Sequence, residues 1–192
     1  MVLTHVRKNT LNVPPQLLKK GKVILYPTDT IWGIGCDATN IKAVKRIYKI
    51  KGRVESKTMI LLLDSVESLK NYVSKVPDIT EELILKADKP LTIVYKNAIN
   101  LPKSLIADDG SIAIRIVKEG FCNGIIKQLG KPIVSTSANI SGQPSAKLYK
   151  EISDEIKSEV DYSVELGQDS IGVKASTIIK LEDNGTFEVI RP

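Results

Sequence analysis

Short runs in which isoleucine, valine and leucine alternate or cluster recur along the chain, separated by segments whose apolar residues fall every three or four positions. The first kind predicts strands over 22–27 (KVILYP), 58–63 (TMILLL), 91–96 (LTIVYK), 111–117 (SIAIRIV), 132–136, 161–166, 176–181 (STIIKL) and 187–191 (FEVIR), because β-branched residues suit a pleated, half-buried surface. The second kind predicts helices. One starts at Asn40, a residue type that caps helix N-termini, with Ile41, Val44, Ile47 and Tyr48 at helical spacing. Others follow Ser65, Thr80 and Asn123, and one or two lie within 146–159. Gly130 and Pro132 stop the helix after Asn123. Strands interleaved with helices early and crowded together late predict an α/β fold, an open mixed sheet with flanking helices.

Composition narrows this picture. A length of 192 residues with 42% hydrophobic content suits one core, so residues 1–192 are expected to form a single domain. A formal charge of +6 favours phosphate-bearing or polyanionic partners without selecting one. Cys36 and Cys122 stand apart, with no metal-type spacing. The N-terminus has no apolar signal-like region and no stretch approaches the ~18 apolar residues of a membrane span, so a cytoplasmic location is expected. His5 is the one histidine, which argues against Ser-His-Asp or Cys-His nucleophiles and histidine metal sites. No phosphate-binding G-x-x-x-x-G-K-[ST] loop occurs, and Gly33-x-Gly35 lacks the third glycine of a dinucleotide fingerprint.

Four stretches could carry chemistry. Pro27-Thr28-Asp29-Thr30 follows the first strand, where α/β sheets open their crevices; it reads either as a turn with side-chain caps or as a ligand grip. Lys42, Lys45, Arg46 and Lys49 share one arc of a helix and suit a solvated face, whereas Lys51 and Arg53 flank Gly52 beyond the expected helix end and could converge on one phosphate chain. Period-two alternation sets Ile112, Ile114 and Ile116 against Ser111, Ala113 and Arg115. An arginine there needs an anionic partner, from the protein or from a carboxylate ligand. Finally, KPIVSTSANISGQPSAK ends a buried strand in a cluster of hydroxyls and an amide, more short polar groups than a turn requires.

In order along the chain, these segments resemble the YrdC-like family, the L-threonylcarbamoyladenylate synthases, from about Val23 to Pro192. YPTDTIWGIGCDA is similar to the family's P-T-[ED]-T segment, KIKGR to its K-x-R motif and STSANISGQPS to its S-x-N motif. KPLTIVYK, SIAIRIV, KASTIIKL and the closing VIRP fall in the family's order. The resemblance implies a YrdC-like open twisted sheet with a basic concave cleft. It implies that Thr30, Arg115, Ser135 and Ser176 hold L-threonine, and that Lys51, Arg53, Lys57, Ser111, Ser137, Asn139, Ser145 and Arg191 surround ATP, with Lys51 and Arg53 acting on the phosphates. Val54 after Arg53, Leu62 and Lys89 depart from the family pattern, which usually has proline, in some members histidine, and glycine at those places.

The implied reaction joins L-threonine, bicarbonate or CO2, and ATP into threonylcarbamoyl-AMP and pyrophosphate for tRNA threonylcarbamoyladenosine modification, with Mg2+ bound mainly through the phosphates. A downstream threonylcarbamoyl transferase machinery would take the product. An alternative of another class is a non-catalytic module that binds tRNA or double-stranded RNA on the same basic face.

Overall fold

Asn40 opens the first long helix as its residue type predicts: its side-chain oxygen accepts the backbone N–H of Ala43. A computed structural model describes residues 15–54, 59–165, 167–168 and 175–192. In chain order the elements are α1 (Pro15–Lys19), β1 (Ile24–Tyr26), β2 (Gly33–Asp37), α2 (Ile41–Ile50), β3 (Ile60–Leu63), α3 (Thr80–Lys86), β4 (Leu91–Tyr95), β5 (Ile112–Ile116), α4 (Gly120–Leu129), β6 (Ile133–Ser137), α5 (Asp154–Glu159), β7 (Tyr162–Ser163), β8 (Thr177–Leu181) and β9 (Phe187–Arg191). Among the described residues the strands form one nine-stranded sheet in the order β7-β1-β2-β6-β3-β5-β4-β8-β9. The pairs β1/β7, β3/β5 and β4/β8 are parallel and the others antiparallel, so the sheet is mixed and open as expected.

Two cores lie on opposite faces of it. Leu25, Ile34, Leu61, Val134, Ile93 and Ile114 pack with α2, α3 and α5 in the larger one. Ile24, Tyr26, Leu62 and Ile133 pack with Leu18 of α1 and the Cys122–Leu129 stretch of α4 in the smaller one. Because α1 and α4 are short, they cover only the part of their face around β1, β3 and the start of β6, and the rest of that face carries the polar residues described below.

Several expectations shift. The strand β2 has no counterpart in the pattern reading, because its glycines depress strand propensity. Its glycines are there for space: a Cβ on Gly35 would sit 2.4 Å from the Val134 carbonyl oxygen and 2.7 Å from the Tyr26 ring. The helix expected after Asn123 begins at Gly120, and Asn123 is buried inside it. Its amide donates to the Val117 carbonyl at 2.7 Å, so a cap-type residue serves here to tie the helix to β5. The helix after Ser65 is a 3-10 turn, Glu67–Asn71. The strand expected over 161–166 is only Tyr162–Ser163, and Leu166 lies outside the described residues. Arg46 is not simply solvated: it pairs with Asp161, which also accepts from Lys22 and the Val23 N–H, joining α2, β1 and β7. Among the described residues no helix is long and apolar enough to cross a membrane.

Candidate active site

Strand register decides which polar groups meet. Leu62 lies beside Arg115, Ile60 beside Ser135, and Gly33 beside Ser137, so that beyond the part covered by α4 this face gathers Arg115, Ser135 and Ser137. A cleft of about 360 Å³ fills that space. Thr28, Thr30 and Trp32 line it from the loop after β1, Ser135 and Ser137 from β6, Ala113 and Arg115 from β5, and Ser176 and Arg191 from the β8–β9 edge. Gly33 allows the approach, since a Cβ there would stand 3.3 Å from Ser135 Oγ and 3.2 Å from the Thr28 methyl.

Arg115 sits at the centre, 4% exposed. Its Nη2 meets Asp29 Oδ1 at 2.9 Å and its Nη1 donates to Thr30 Oγ1 at 3.4 Å, while its Nε is buried with no partner. A buried guanidinium carries five donors, and this one is served by a single carboxylate oxygen and one long hydroxyl contact, so it retains capacity for a second acceptor. The hydroxyls beyond it are ordered. Thr28 Oγ1 donates to the Ile31 carbonyl at 2.7 Å and accepts from the N–H groups of Thr30 and Ile31. That leaves the Thr30 hydroxyl to donate to Thr28 Oγ1, 2.8 Å away, and to accept from Arg115. On the opposite wall Ser176 Oγ shares a 2.8 Å hydrogen bond with Thr92, and Arg191 holds the Ser176 carbonyl through two donors at 3.0 and 2.8 Å. Arg53 also lines the cleft, and burial lowers its guanidinium from its ordinary value. Burial first and the Arg115 charge second do the same to Arg191. Among the described residues the lining thus gathers three arginines and no carboxylate, an anion-attracting concavity.

The expected threonine-holding set, Thr30, Arg115, Ser135 and Ser176, converges on this one cleft. Of the expected nucleotide set, Arg53, Ser137, Ser145 and Arg191 line it, and Lys57 lies outside the described residues, as does His5.

Three expected residues do not line it. Lys51 is 1% exposed, not a loop cation free to reach phosphate. Its Nζ donates to the carbonyls of Ser137 and Asn139 at 2.5 and 2.6 Å, and its own carbonyl accepts from the Ser141 N–H. Lys51 therefore clamps the end of β6 at Ser137 to the loop that follows it, and burial, with the nearby Arg53 charge, pushes its amine down to about 8. The Asn139 amide nitrogen is likewise spent inside that loop, donating to the carbonyls of Ile140 and Gln143, while its Oδ1 is buried without a partner. Ser111 is buried at the start of β5, beyond the cleft, where its N–H caps Asp109 at 3.0 Å.

The pattern reading held a protein anion open for Arg115 but did not single out Asp29, the partner it has here. It also missed the apolar lining from Trp32, Met59, Ile60 and Ile178. Leu62 is fully buried under α4, so it fills core space and offers no polar contact to the cleft. Val54 is exposed.

A family model for Sua5, YciO and YrdC proteins, described as telomere recombination, matches residues 16–192. The chain is 34% identical over 161 residues to the threonylcarbamoyl-AMP synthase of Pseudoalteromonas translucida, covering 82% of this chain and 86% of that protein. Among solved structures it is similar to P. abyssi Sua5 complexed with L-threonine, with a TM-score of 0.83 and 26% identity over 95% of this chain; the chain spans about half of that protein, 53%. It is similar as well to E. coli YciO, with a TM-score of 0.78, 26% identity, and coverage of 94% of this chain and 87% of that one.

Proposed function

The chain belongs to the Sua5/YciO/YrdC family, and from that premise we propose that it is a threonylcarbamoyl-AMP synthase whose cleft holds L-threonine on Arg115 and the nucleotide phosphates on Arg53 and Arg191. The observation that carries the reading is the buried, under-served Arg115 among the hydroxyls of Thr30, Ser135 and Ser176, a receptor for a small hydroxylated carboxylate beside two further cations.

With its carboxylate held by Arg115, threonine would react through its amine. The ammonium form and bicarbonate give the carbamate, water and a proton; a carbamate oxygen then attacks the α-phosphorus of ATP, the bond to the β-phosphate oxygen breaks, and pyrophosphate leaves with its electron pair. Alignment and charge neutralisation supply most of the catalysis in such a displacement, which suits a cleft of arginines and hydroxyls. Among the described residues no cluster of three carboxylates, histidines or cysteines is present, and Asp29 is engaged by Arg115. These donors do not fit a protein-held Mg2+, so the ion enters this reading only as part of the Mg-ATP substrate. The reading places the protein in the cytoplasm, supplying an activated threonylcarbamoyl group to a transferase that acts on tRNA.

The test is pyrophosphate release in CO2-depleted buffer. Release that needs threonine, bicarbonate and Mg-ATP together is expected. Full release without bicarbonate would point to adenylation of the threonine carboxylate; no release, with salt-sensitive RNA binding, would favour an RNA-binding module instead.

A further inference from the structure

The cleft poses an electrostatic difficulty that its lining alone does not solve. Among the described residues three arginines line it, and no carboxylate does. A free α-amino acid brings an ammonium as well as a carboxylate, and the ammonium would be repelled by such a lining. A carboxylic acid without the ammonium would suit it better. A negative group stands next to the lining: Asp29, between the cleft-lining Thr28 and Thr30, 2.9 Å from Arg115 Nη2 and with 38% of its side chain exposed.

We propose that Asp29 is the specificity-determining residue that makes this cleft select zwitterionic α-amino acids over carboxylates lacking the ammonium. The proposal rests on the threonine reading above. The α-nitrogen of an amino acid lies within about 3 Å of its own carboxylate oxygens, so a carboxylate seated on Arg115 brings the ammonium within the ~4–6 Å range over which a second charge shifts binding. Asp29 and Arg115 together are neutral, as a zwitterion is. The Arg115 Nε, buried and without a partner, is the donor left over for the incoming carboxylate while Nη2 stays with Asp29. The loop is stiff enough to hold this arrangement, because Thr28 Oγ1 accepts the N–H groups on both sides of the Thr30 peptide and donates to the Ile31 carbonyl.

The experiment is calorimetric binding, in the presence of a non-hydrolysable ATP analogue with Mg2+, of threonine, N-acetylthreonine and 2,3-dihydroxybutanoate. The wild-type protein should bind threonine and reject both ammonium-free acids. In Asp29→Asn, threonine affinity should fall by roughly ten- to a hundredfold while the two acids hold or gain, since the lost contact is charge-assisted and the repulsion of anions is relieved. Asp29→Glu should keep the wild-type order. A uniform fall for all three ligands in Asp29→Asn would make Asp29 a mere holder of Arg115, and a uniform gain would make it a competitor for the guanidinium; either overturns the proposal. Should Asp29→Asn fail to fold, the wild-type comparison decides: acids bound as tightly as threonine overturn the selection, and acids rejected sustain it. Absence of threonine binding to the wild type would instead strike the threonine reading itself.

Discussion

At the scale of single residues, Lys51 changes meaning most. A lysine placed after a helix end invites a phosphate role, yet here the ammonium is consumed by two backbone carbonyls, those of Ser137 at the end of β6 and Asn139 just beyond it. Burial depresses its folded pKa from an ordinary 10.5 to about 8, so between these values the unfolded lysine keeps a proton that the folded one has lost. Stability from this group therefore rises with pH across that window and is flat below it. Replacing Lys51 by Met removes the slope. The stability gap between wild type and Lys51→Met, read from denaturant midpoints, should widen by about 2 kcal/mol from pH 7 to pH 9.5. The comparison cancels Tyr26 and Cys122, whose burial raises their folded pKa values in both proteins. A gap that stays constant would mean Lys51 keeps its charge in the fold.

At the scale of elements, β2 is the strand on which the site depends and the one its own residues advertise least. Its two glycines trade strand propensity for clearance, letting the Tyr26 ring and the Ser135 hydroxyl lie across it. Gly35→Ala would drive a Cβ into the backbone of β6, a neighbour that cannot swing aside. The expected cost is about 2–3 kcal/mol of stability, in the range of overpacked interiors. Gly52 at the end of α2 is a useful control, because nothing lies within 4 Å of a Cβ there and only its positive φ of 55° resists substitution. Gly52→Ala should cost only about 1 kcal/mol. Thermal unfolding of the two variants checks the order, and an equal or reversed cost would show that β2 and β6 can separate without penalty.

At the scale of the whole molecule, the cleft joins parts of the sheet that are otherwise far apart in order: the β1–β2 loop and β6 on one side, β5 in the middle, and the β8–β9 edge on the other. A ligand spanning them ties the edge strands to the centre, so it should stabilise the entire chain. Threonine and Mg-ATP analogue, each at a hundred times its dissociation constant, should each add about 2.7 kcal/mol. For a chain of this length every kcal/mol raises the unfolding midpoint by about 2–4 °C. Scanning calorimetry with each ligand alone and with both should show one cooperative transition that moves as a unit. Two transitions, one of them indifferent to ligand, would mean that the β8–β9 edge unfolds independently.

What the sequence determined by itself is what short-range physics fixes. Alternation with period two placed Arg115 opposite the isoleucines of β5, and the density of Ser and Thr at the end of β6 announced a polar lining, because side-chain direction in a strand follows from chain geometry alone. The Asn40 cap is local in the same way. Only the tertiary structure decided the partners. Asp29 lies 86 residues before Arg115, Lys51 finds its carbonyls at the end of β6 and just beyond it, and Asn123 spends a cap-type side chain on a strand end. Burial reverses the reading of a charged residue, since removal from water compels it to satisfy its hydrogen bonds with whatever the fold brings near, and which groups come near is set by the register of nine strands gathered from the length of the chain.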